Sequence, residues 1–215
     1  MGALPTGWTL LPGYGGGSAA EVGLASDEFH SPPMALKSDT MMTTQARAQT
    51  SLTSIGATAA KHWGRIFYKV ASPAPVNSSG VLHVTFVGLF PTTPVTSGGL
   101  GSENRVVDTV EANNGTHQWL YNLPSDGCSE GSAYNWKYDT AWHCAEWYVD
   151  VSTNSYRFFS DSQEVTSIGF TGKTCDMMAT YEAIGLGSTF FQQPNAPWIM
   201  WIDDLAIDDN QIGCE

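Results

Sequence analysis

The sequence predicts an all-β fold, a two-sheet antiparallel β-sandwich of the jelly-roll type, and three observations point to it. The chain has 22 glycines and 11 prolines among 215 residues, and only 14% of its residues are charged, which favours strands and turns over helices. Several segments alternate apolar and polar residues with period two, as half-buried strands do. About a dozen such segments are too many for one open sheet, so we expect a single domain over residues 1–215 with two packed sheets.

The segments before residue 60 predict short strands separated by turns. Residues 7–11 form a short strand or lead-in, and 21–25 and 34–38 are alternating strands. The segment 43–53 is polar and compatible with a strand, although one helical turn would also fit its centre.

The strand signal is clearer between residues 64 and 123. Strand 64–70 is followed by prolines that stop it. In 81–87, His83 points away from the apolar face of its strand. Strands 105–111 and 116–123 are separated by an Asn-Gly turn, a strong signal for a hairpin.

The strongest strand pair covers residues 142–161. Its first half, 142–150, has Ala, Trp and Val on one face, and an aromatic strand, 156–160, follows a polar turn. Because two paired strands with one apolar face cannot stand alone in water, the rest of the chain must supply the opposing sheet. The last two expected strands are 178–187 and 198–207.

The net charge and the length of the apolar runs argue against two classes of partner. With 21 acidic and nine basic residues the formal net charge is −12, which argues against nucleic acid because that partner requires a basic footprint. No apolar run approaches the ~20 residues that span a bilayer, so we expect no membrane partner. We also expect the protein to be a monomer. Met1 leads directly into strand-like sequence, so we expect that any export signal has been removed.

Four cysteines without CxxC spacing indicate two disulfides in an oxidising compartment rather than a zinc site. Three connectivities can be drawn, and the favoured one joins Cys128 to Cys144 and Cys175 to Cys214. The alternative is four reduced, buried thiols in a cytosolic protein.

Four strand segments carry a resemblance to a known family. They occur in the same order in concanavalin-like jelly rolls, and the chain resembles the secreted cellulose-induced proteins of filamentous fungi and their bacterial relatives, which are similar to glucuronan lyases. The resemblance covers nearly the whole chain. It implies secretion, a calcium site near the termini and a concave face that binds polysaccharide. The segments are MALK at 34–37, HWGRIFY at 62–68, WHCAEW at 142–147 and WIDDLAI at 201–207.

Asp203 and Asp204 interrupt an apolar strand. Strict alternation puts Asp203 on the core face, where a carboxylate needs a cation or several hydrogen-bond donors. Calcium, which takes six to eight oxygen ligands, suits that position, with Asp39 or Ser38 as a partner. The alternative is a buried aspartate that accepts hydrogen bonds from loop amides.

The activity that the resemblance implies is β-elimination at a uronic acid. That reaction needs a group that neutralises the carboxylate, a base for the C5 proton and an acid for the leaving oxygen. Arg105 could neutralise, helped by Gln118. His83 is the candidate base, and Tyr181 or Tyr148 the candidate acid, although histidine and tyrosine are also ordinary residues on a sheet.

Two other functions compete with the lyase. A non-catalytic carbohydrate-binding module would stack sugars on exposed aromatic rings. Trp119 and Tyr121 are the candidate platform, with a place in the core as the alternative for both, and Glu146 lies either at the substrate or acts as a structural acceptor. A glycoside hydrolase would need two carboxylates about 5–9.5 Å apart. No strand in the sequence presents such a pair, so this function ranks last.

Overall fold

The computed structural model describes most of the chain and forms two stacked sheets. The described residues are 1–12, 21–40, 45–57, 60–77, 80–112, 114–123, 127–172 and 177–215. Their strands are β1 (Thr9–Leu10), β2 (Val22–Ala25), β3 (Ala35–Asp39), β4 (Gln45–Ser51), β5 (Lys61–Val70), β6 (Leu82–Phe90), β7 (Asn104–Glu111), β8 (His117–Leu123), β9 (Cys128–Gly131), β10 (His143–Asp150), β11 (Ser155–Ser160), β12 (Gln163–Glu164), β13 (Ala183–Phe190) and β14 (Ile199–Asp208). Two short 3-10 helices cover Thr53–Ile55 and Ser97–Ser102.

Each sheet contains seven of these strands, and all neighbouring strands are antiparallel. The front sheet has the order β1-β4-β13-β6-β7-β8-β9, and the back sheet has the order β12-β11-β10-β5-β14-β3-β2. The predicted all-β, two-sheet antiparallel sandwich is therefore confirmed. In the described ranges, no helix is long and apolar enough to cross a bilayer.

A continuous core lies between the two sheets, because alternate residues of every long strand point inward. Phe86 and Trp119 of the front sheet and Trp147 and Phe158 of the back sheet are all buried in it. Gly64 lies directly against the Trp147 ring, where a β-carbon would overlap the indole. Burial of each such large side chain contributes on the order of 2–3 kcal/mol relative to leaving it exposed.

A smaller apolar cluster closes one end of the outer face of the front sheet. It contains Leu11, Phe90, Val95, Leu100 and Ala183. The connection between β6 and β7 folds back over the sheet to supply two of these residues. As a result, the polar part of that outer face begins next to Glu103, at the end of the connection.

The disulfide connectivity differs from the prediction. Cys144 is bonded to Cys214, so the favoured pairs Cys128–Cys144 and Cys175–Cys214 are wrong. Cys128 is disulfide-bonded but lies on β9, at an edge of the front sheet, whereas Cys144 lies on β10 in the back sheet. Cys175 lies outside the described residues.

The C-terminal segment explains why Cys144 finds Cys214. After β14 the chain crosses the outer face of the back sheet, where Glu146 accepts hydrogen bonds from the backbone N–H groups of Ile212 at 2.9 Å and Gly213 at 2.7 Å. Cys144 lies two residues before Glu146 and therefore points to the same face. The sequence pattern shows that Cys144 and Glu146 share a face of β10. It does not show that the segment after β14 returns across that face.

Candidate functional site

A β-bulge gathers the main polar residues of the front sheet on its outer face. Between β7 and β8 the register passes from Arg105 opposite Asn122 to Asp108 opposite Leu120, so three steps along β7 match two along β8. Strict alternation would put Arg105 and Asp108 on opposite faces. The extra residue re-aims the strand, and both side chains lie on the outer face.

His83 and Asp108 form a hydrogen-bonded pair across neighbouring strands. Nε2 of His83 lies 2.6 Å from Oδ2 of Asp108, and Oδ1 of Asp108 accepts a hydrogen bond of 2.8 Å from the hydroxyl of Thr85. Because a carboxylate only accepts, Nε2 carries the proton. Among the described residues Nδ1 of His83 has no hydrogen-bond partner, so its lone pair is free to accept a proton.

Arg105 lies beside this pair, and none of the described residues accepts a hydrogen bond from its guanidinium. Its Cζ is 3.8 Å from the ring centre of Phe191, and the His83 ring is 4.5 Å from the same centre. The nearest carboxylate among the described residues is Glu103, at 3.7 Å from Nε of Arg105, too far for a hydrogen bond. The Arg105 side chain is 7% exposed. Its buried Nε has no hydrogen-bond partner among the described residues.

The carboxylate of Glu103 is directed at a second arginine. Arg47 of β4 donates a short hydrogen bond to Glu103, and both side chains are fully buried. Gly88 makes room for this pair, because a β-carbon at that position would overlap the carboxylate of Glu103. Oε1 of Glu103 is thus committed to Arg47, and Oε2 lies beyond hydrogen-bond distance of Nε of Arg105.

Two of the predicted substrate-site residues, His83 and Arg105, are brought together, and a third, Gln118, lies on the same sheet face. His83 and Arg105 share the Phe191 ring, and Gln118 lies on the same sheet face because it pairs with Val110, which in turn pairs with His83. With neighbouring strands about 4.8 Å apart, Gln118 is two strands from His83, at roughly 10 Å. These residues were predicted to converge in one groove, and they lie on one face.

Neither predicted tyrosine acid lies beside His83. Tyr181 precedes β13, which begins at Ala183 rather than at residue 178, and its fully buried hydroxyl accepts a hydrogen bond of 2.6 Å from Asn104. Burial raises the pKa of Tyr181 well above 10. Tyr148 lies on β10 in the back sheet, against Trp63.

The other predicted sugar contacts also lie elsewhere. Trp119 and Tyr121 point into the core, with 4% and 0% of their surfaces exposed, because alternation along β8 turns Gln118 outward and its neighbours inward. Glu146 lies in the back sheet and binds the C-terminal segment, as its structural alternative foresaw.

Asp203 does not point into the core as predicted. A bulge in β14 between Asp203 and Ala206 interrupts the alternation, and Asp204 adopts a positive φ of 49° there. Asp203 therefore lies opposite Phe67 on the outer face of the back sheet. The inward placement was wrong because the extra residue shifts the following apolar side chains to the other face.

The aspartate pair holds a loop and does not fit a calcium ion. Oδ2 of Asp203 accepts 2.9 Å hydrogen bonds from the backbone N–H groups of His30 and Ser31, and Oδ1 accepts one from Asp204. Oδ2 of Asp204 contacts the His30 ring and the Ser31 hydroxyl at 2.7 Å. Three of the four carboxylate oxygens are therefore occupied by donors, whereas calcium takes six to eight oxygens.

The predicted calcium partners are too far along the strand to complete a site. Asp39 and Ser38 pair with Ile199 and Met200, three or four residues before the aspartate pair, which is roughly 10–13 Å. Ser38 also donates into the interior, to the carbonyl of Ala46. Within the described ranges no group of three or more His, Cys, Asp or Glu side chains could hold a metal, so calcium stays a prediction.

Sequence reasoning missed Asp108, Glu103 and Arg47. Asp108 interrupts the apolar run of β7, and a charged residue within a buried strand is a signal that could have found it. Glu103 and Arg47 carried no comparable signal, because their contact depends on how the connection before β7 folds back over β4.

The fold belongs to the concanavalin-like class of β-sandwiches, which confirms the predicted resemblance at the level of the fold. Among solved structures the chain is similar to the cellulose induced protein Cip1, with a TM-score of 0.64 and 14% identity over 98% of this chain and 94% of that one. No protein-family model matches the chain, and no curated protein matches its sequence.

Two further structures share the sandwich. One is the alginate lyase AlyC3, with a TM-score of 0.53 and 10% identity over 81% of this chain and 74% of that one. The other is a conserved carbohydrate esterase from the Shiga toxin-encoding bacteriophage phi24B, with a TM-score of 0.54 and 15% identity over 95% and 91%. At these identities the similarity shows the fold alone.

Proposed function

We propose that the outer face of the front sheet binds a uronic-acid-containing polysaccharide and cleaves it by β-elimination. One observation carries the proposal. The guanidinium of Arg105 is buried without a hydrogen-bonded acceptor among the described residues, directly beside the His83–Asp108 pair. A buried charge of this kind is costly unless a ligand pairs with it. A uronate carboxylate fits, because it accepts two parallel bonds from a guanidinium.

In the proposed elimination each group has a role that its position supports. Arg105 neutralises the uronate carboxylate, which makes the C5 proton more acidic. Nδ1 of His83 takes that proton, because Nε2 donates to Asp108 and Asp108 stabilises the imidazolium that forms. The C5–H electron pair becomes the C4–C5 double bond while the bond from C4 to the glycosidic oxygen breaks.

The leaving oxygen needs a proton. Since neither Tyr181 nor Tyr148 lies beside His83, we assign that step to the protonated His83 or to water. With His83 as both base and acid, the C5 proton and the leaving oxygen would lie on the same side of the sugar.

The alternative is a binding protein that uses the same face without turnover. The observation that favours it is that neither candidate tyrosine acid, Tyr181 or Tyr148, lies beside His83. In that case Arg105 and the Phe191 ring would hold the sugar, and the His83–Asp108 pair would only orient it.

Ultraviolet absorbance of the unsaturated uronide product separates the two functions. We expect a lyase to produce it from glucuronan or alginate, and His83→Ala to lower turnover about 10²–10⁴-fold with substrate still bound. His143→Ala is the matched control, since His143 is also paired with carboxylates but belongs to the back sheet. If no polyuronide yields product but polyuronide still binds, and Arg105→Ala weakens that binding, the protein is a binding protein and not a lyase.

Arg105→Ala should weaken both binding and turnover, whereas Arg157→Ala should change neither, because Arg157 is paired with Glu164 in the back sheet. Unimpaired binding and activity in a His83→Ala/Arg105→Ala double variant would place the site elsewhere on the molecule.

We further propose that the protein acts outside the cell, as a monomer. The Cys144–Cys214 bond supports an oxidising compartment. Size-exclusion chromatography and non-reducing mass spectrometry of the native secreted protein test both statements, and a dimer or alkylatable thiols would contradict them.

A further inference from the structure

A cleft at the open edge of the sandwich lies apart from the Arg105 site. It has a volume of about 520 Å³, within the usual range for small-molecule sites. One wall is the segment that follows β9, with Trp136. The other is the β11–β12 hairpin and the residues after it. The cleft therefore runs between an edge of the front sheet and an edge of the back sheet.

Trp136 is held firmly against β8. Its carbonyl accepts a 2.7 Å hydrogen bond from the N–H of His117, and the neighbouring N–H of Asn135 donates to the carbonyl of His117 at 3.2 Å. The ring stacks on those of His117 and Trp119, at 4.9 and 4.6 Å between centres. Because His117 and Trp119 are two residues apart on one strand, their rings point the same way, and Trp136 lies flat across both.

The stack beneath Trp136 is uncharged at neutral pH. Burial lowers the pKa of His117 to about 4, so the imidazole is neutral. The aromatic floor of the cleft therefore offers a rigid π-face without a cation below it.

Five polar side chains that line the cleft are neutral and uncommitted, whereas the Ser132 hydroxyl is hydrogen-bonded to the backbone of Trp119 and Ala133. Within the described part of the chain, the five hydroxyl and amide side chains on both walls make no hydrogen bonds to protein groups. They can both donate and accept, as sugar hydroxyls do. These side chains are Asn135, Ser160, Gln163, Thr166 and Ser167.

The one carboxylate lining the cleft is already neutralised. Both oxygens of Glu164 accept 2.8 Å hydrogen bonds from Arg157, a bidentate arrangement. The described lining thus has no unpaired charge that would select an anion or a cation.

We infer that this cleft is a second carbohydrate site, which binds a neutral pyranose by stacking it on Trp136. An aromatic face beside neutral hydroxyls and amides matches the apolar C–H face and the hydroxyl rim of such a sugar. The inference does not rest on the proposed lyase activity, because none of its residues belongs to the His83–Arg105 site. The two sites would differ in charge preference: Arg105 selects a uronate, and this cleft selects an uncharged sugar.

Calorimetry with cellohexaose, mannohexaose and laminarihexaose tests the inference on the full chain. We expect at least one of them to bind, and Trp136→Ala to weaken that binding about tenfold, the size of a lost aromatic stacking contact. Trp142→Ala is the matched control, because Trp142 is a partly exposed tryptophan outside the cleft, in ring contact with His30. It should leave the affinity unchanged.

A second variant covers the case in which Trp136→Ala fails to fold. Gln163→Trp adds a large side chain at an exposed position of the β12 hairpin and should block the cleft while the melting temperature stays unchanged. Three results would overturn the inference: no binding of any neutral probe at millimolar concentration, equal binding to the wild type and both cleft variants, or loss in Trp136→Ala of binding to a charged uronate hexamer alone. His83→Ala should bind neutral sugars as well as the wild type does. Failure of the lyase proposal can therefore be told apart from failure of the neutral-sugar inference.

Discussion

Removal of the Cys144–Cys214 disulfide should lower the free energy of unfolding by about 4 kcal/mol. The bond joins residues that are 70 positions apart. In the chain-entropy treatment, closing a loop of that length lowers the conformational entropy of the unfolded chain by about 15 cal/mol/K. This raises the free energy of the unfolded state by about 4 kcal/mol at 25 °C. The perturbation is the double variant Cys144→Ala/Cys214→Ala, because a single replacement would leave a reactive thiol.

The C-terminal segment has non-covalent anchors that should keep it docked in the double variant. Glu146 accepts hydrogen bonds from Ile212 and Gly213, and Arg65 donates one of 3.2 Å to the carbonyl of Gly213. The loss should therefore arise in the unfolded state. If Glu146→Leu is added, the partly buried N–H groups of Ile212 and Gly213 lose their acceptor, at about 1 kcal/mol each.

Urea unfolding followed by tryptophan fluorescence, without reductant, measures these differences. Cys144→Ser/Cys214→Ser controls for the replacement side chain and should give the same loss. The loss of unfolding free energy caused by Glu146→Leu should be smaller in the absence of the disulfide, because Glu146 and the disulfide hold the same C-terminal segment. A loss below about 1 kcal/mol in the double variant would refute the loop-closure reasoning.

Two further predictions concern the polar contacts of the back sheet. Burial opposes protonation of His143, but the hydrogen bonds that its ring donates to Asp161 and Asp139 outweigh burial and raise its pKa above 6.5. The stability it contributes should be complete below about pH 6.5 and lost as the pH rises through the folded-state pKa, so the difference in unfolding free energy between wild type and His143→Gln should shrink from pH 6 to pH 9. Asp203→Ala should cost about 1 kcal/mol by releasing the His30 loop, with a chelator present or absent; a stability loss that appears only in the presence of calcium would contradict this second prediction.

The fold could be predicted because alternation depends on each strand alone. Period-two patterns identified β5, β6 and β10 and the outward direction of His83. Arg105 was identified as the cation of the site by its charge on a strand in an acidic chain. Its convergence with Asp108 could not be predicted, because a bulge in β7 changes which residues share a face.

The errors in the predicted sites have a common cause. A bulge in β14 after Asp203 moves the apolar residues that follow it to the opposite face from Asp203, and the late start of β13 leaves Tyr181 in the core. The pairing of Cys144 depends on the path of a segment with no strand pattern. Alternation describes a strand locally, whereas these outcomes depend on register and on chain paths between distant segments.

The position of β14 has a consequence for how the chain folds. This strand, Ile199–Asp208, lies between β3 and β5 in the middle of the back sheet, where Ile202 pairs with both Leu36 and Tyr68. The back sheet therefore stays divided until residues 199–208 have left the ribosome. Such distant pairings slow folding, and the unpaired edges of β3 and β5 are open to aggregation in the meantime. Nascent chains that stop before residue 199 should accumulate as chaperone substrates.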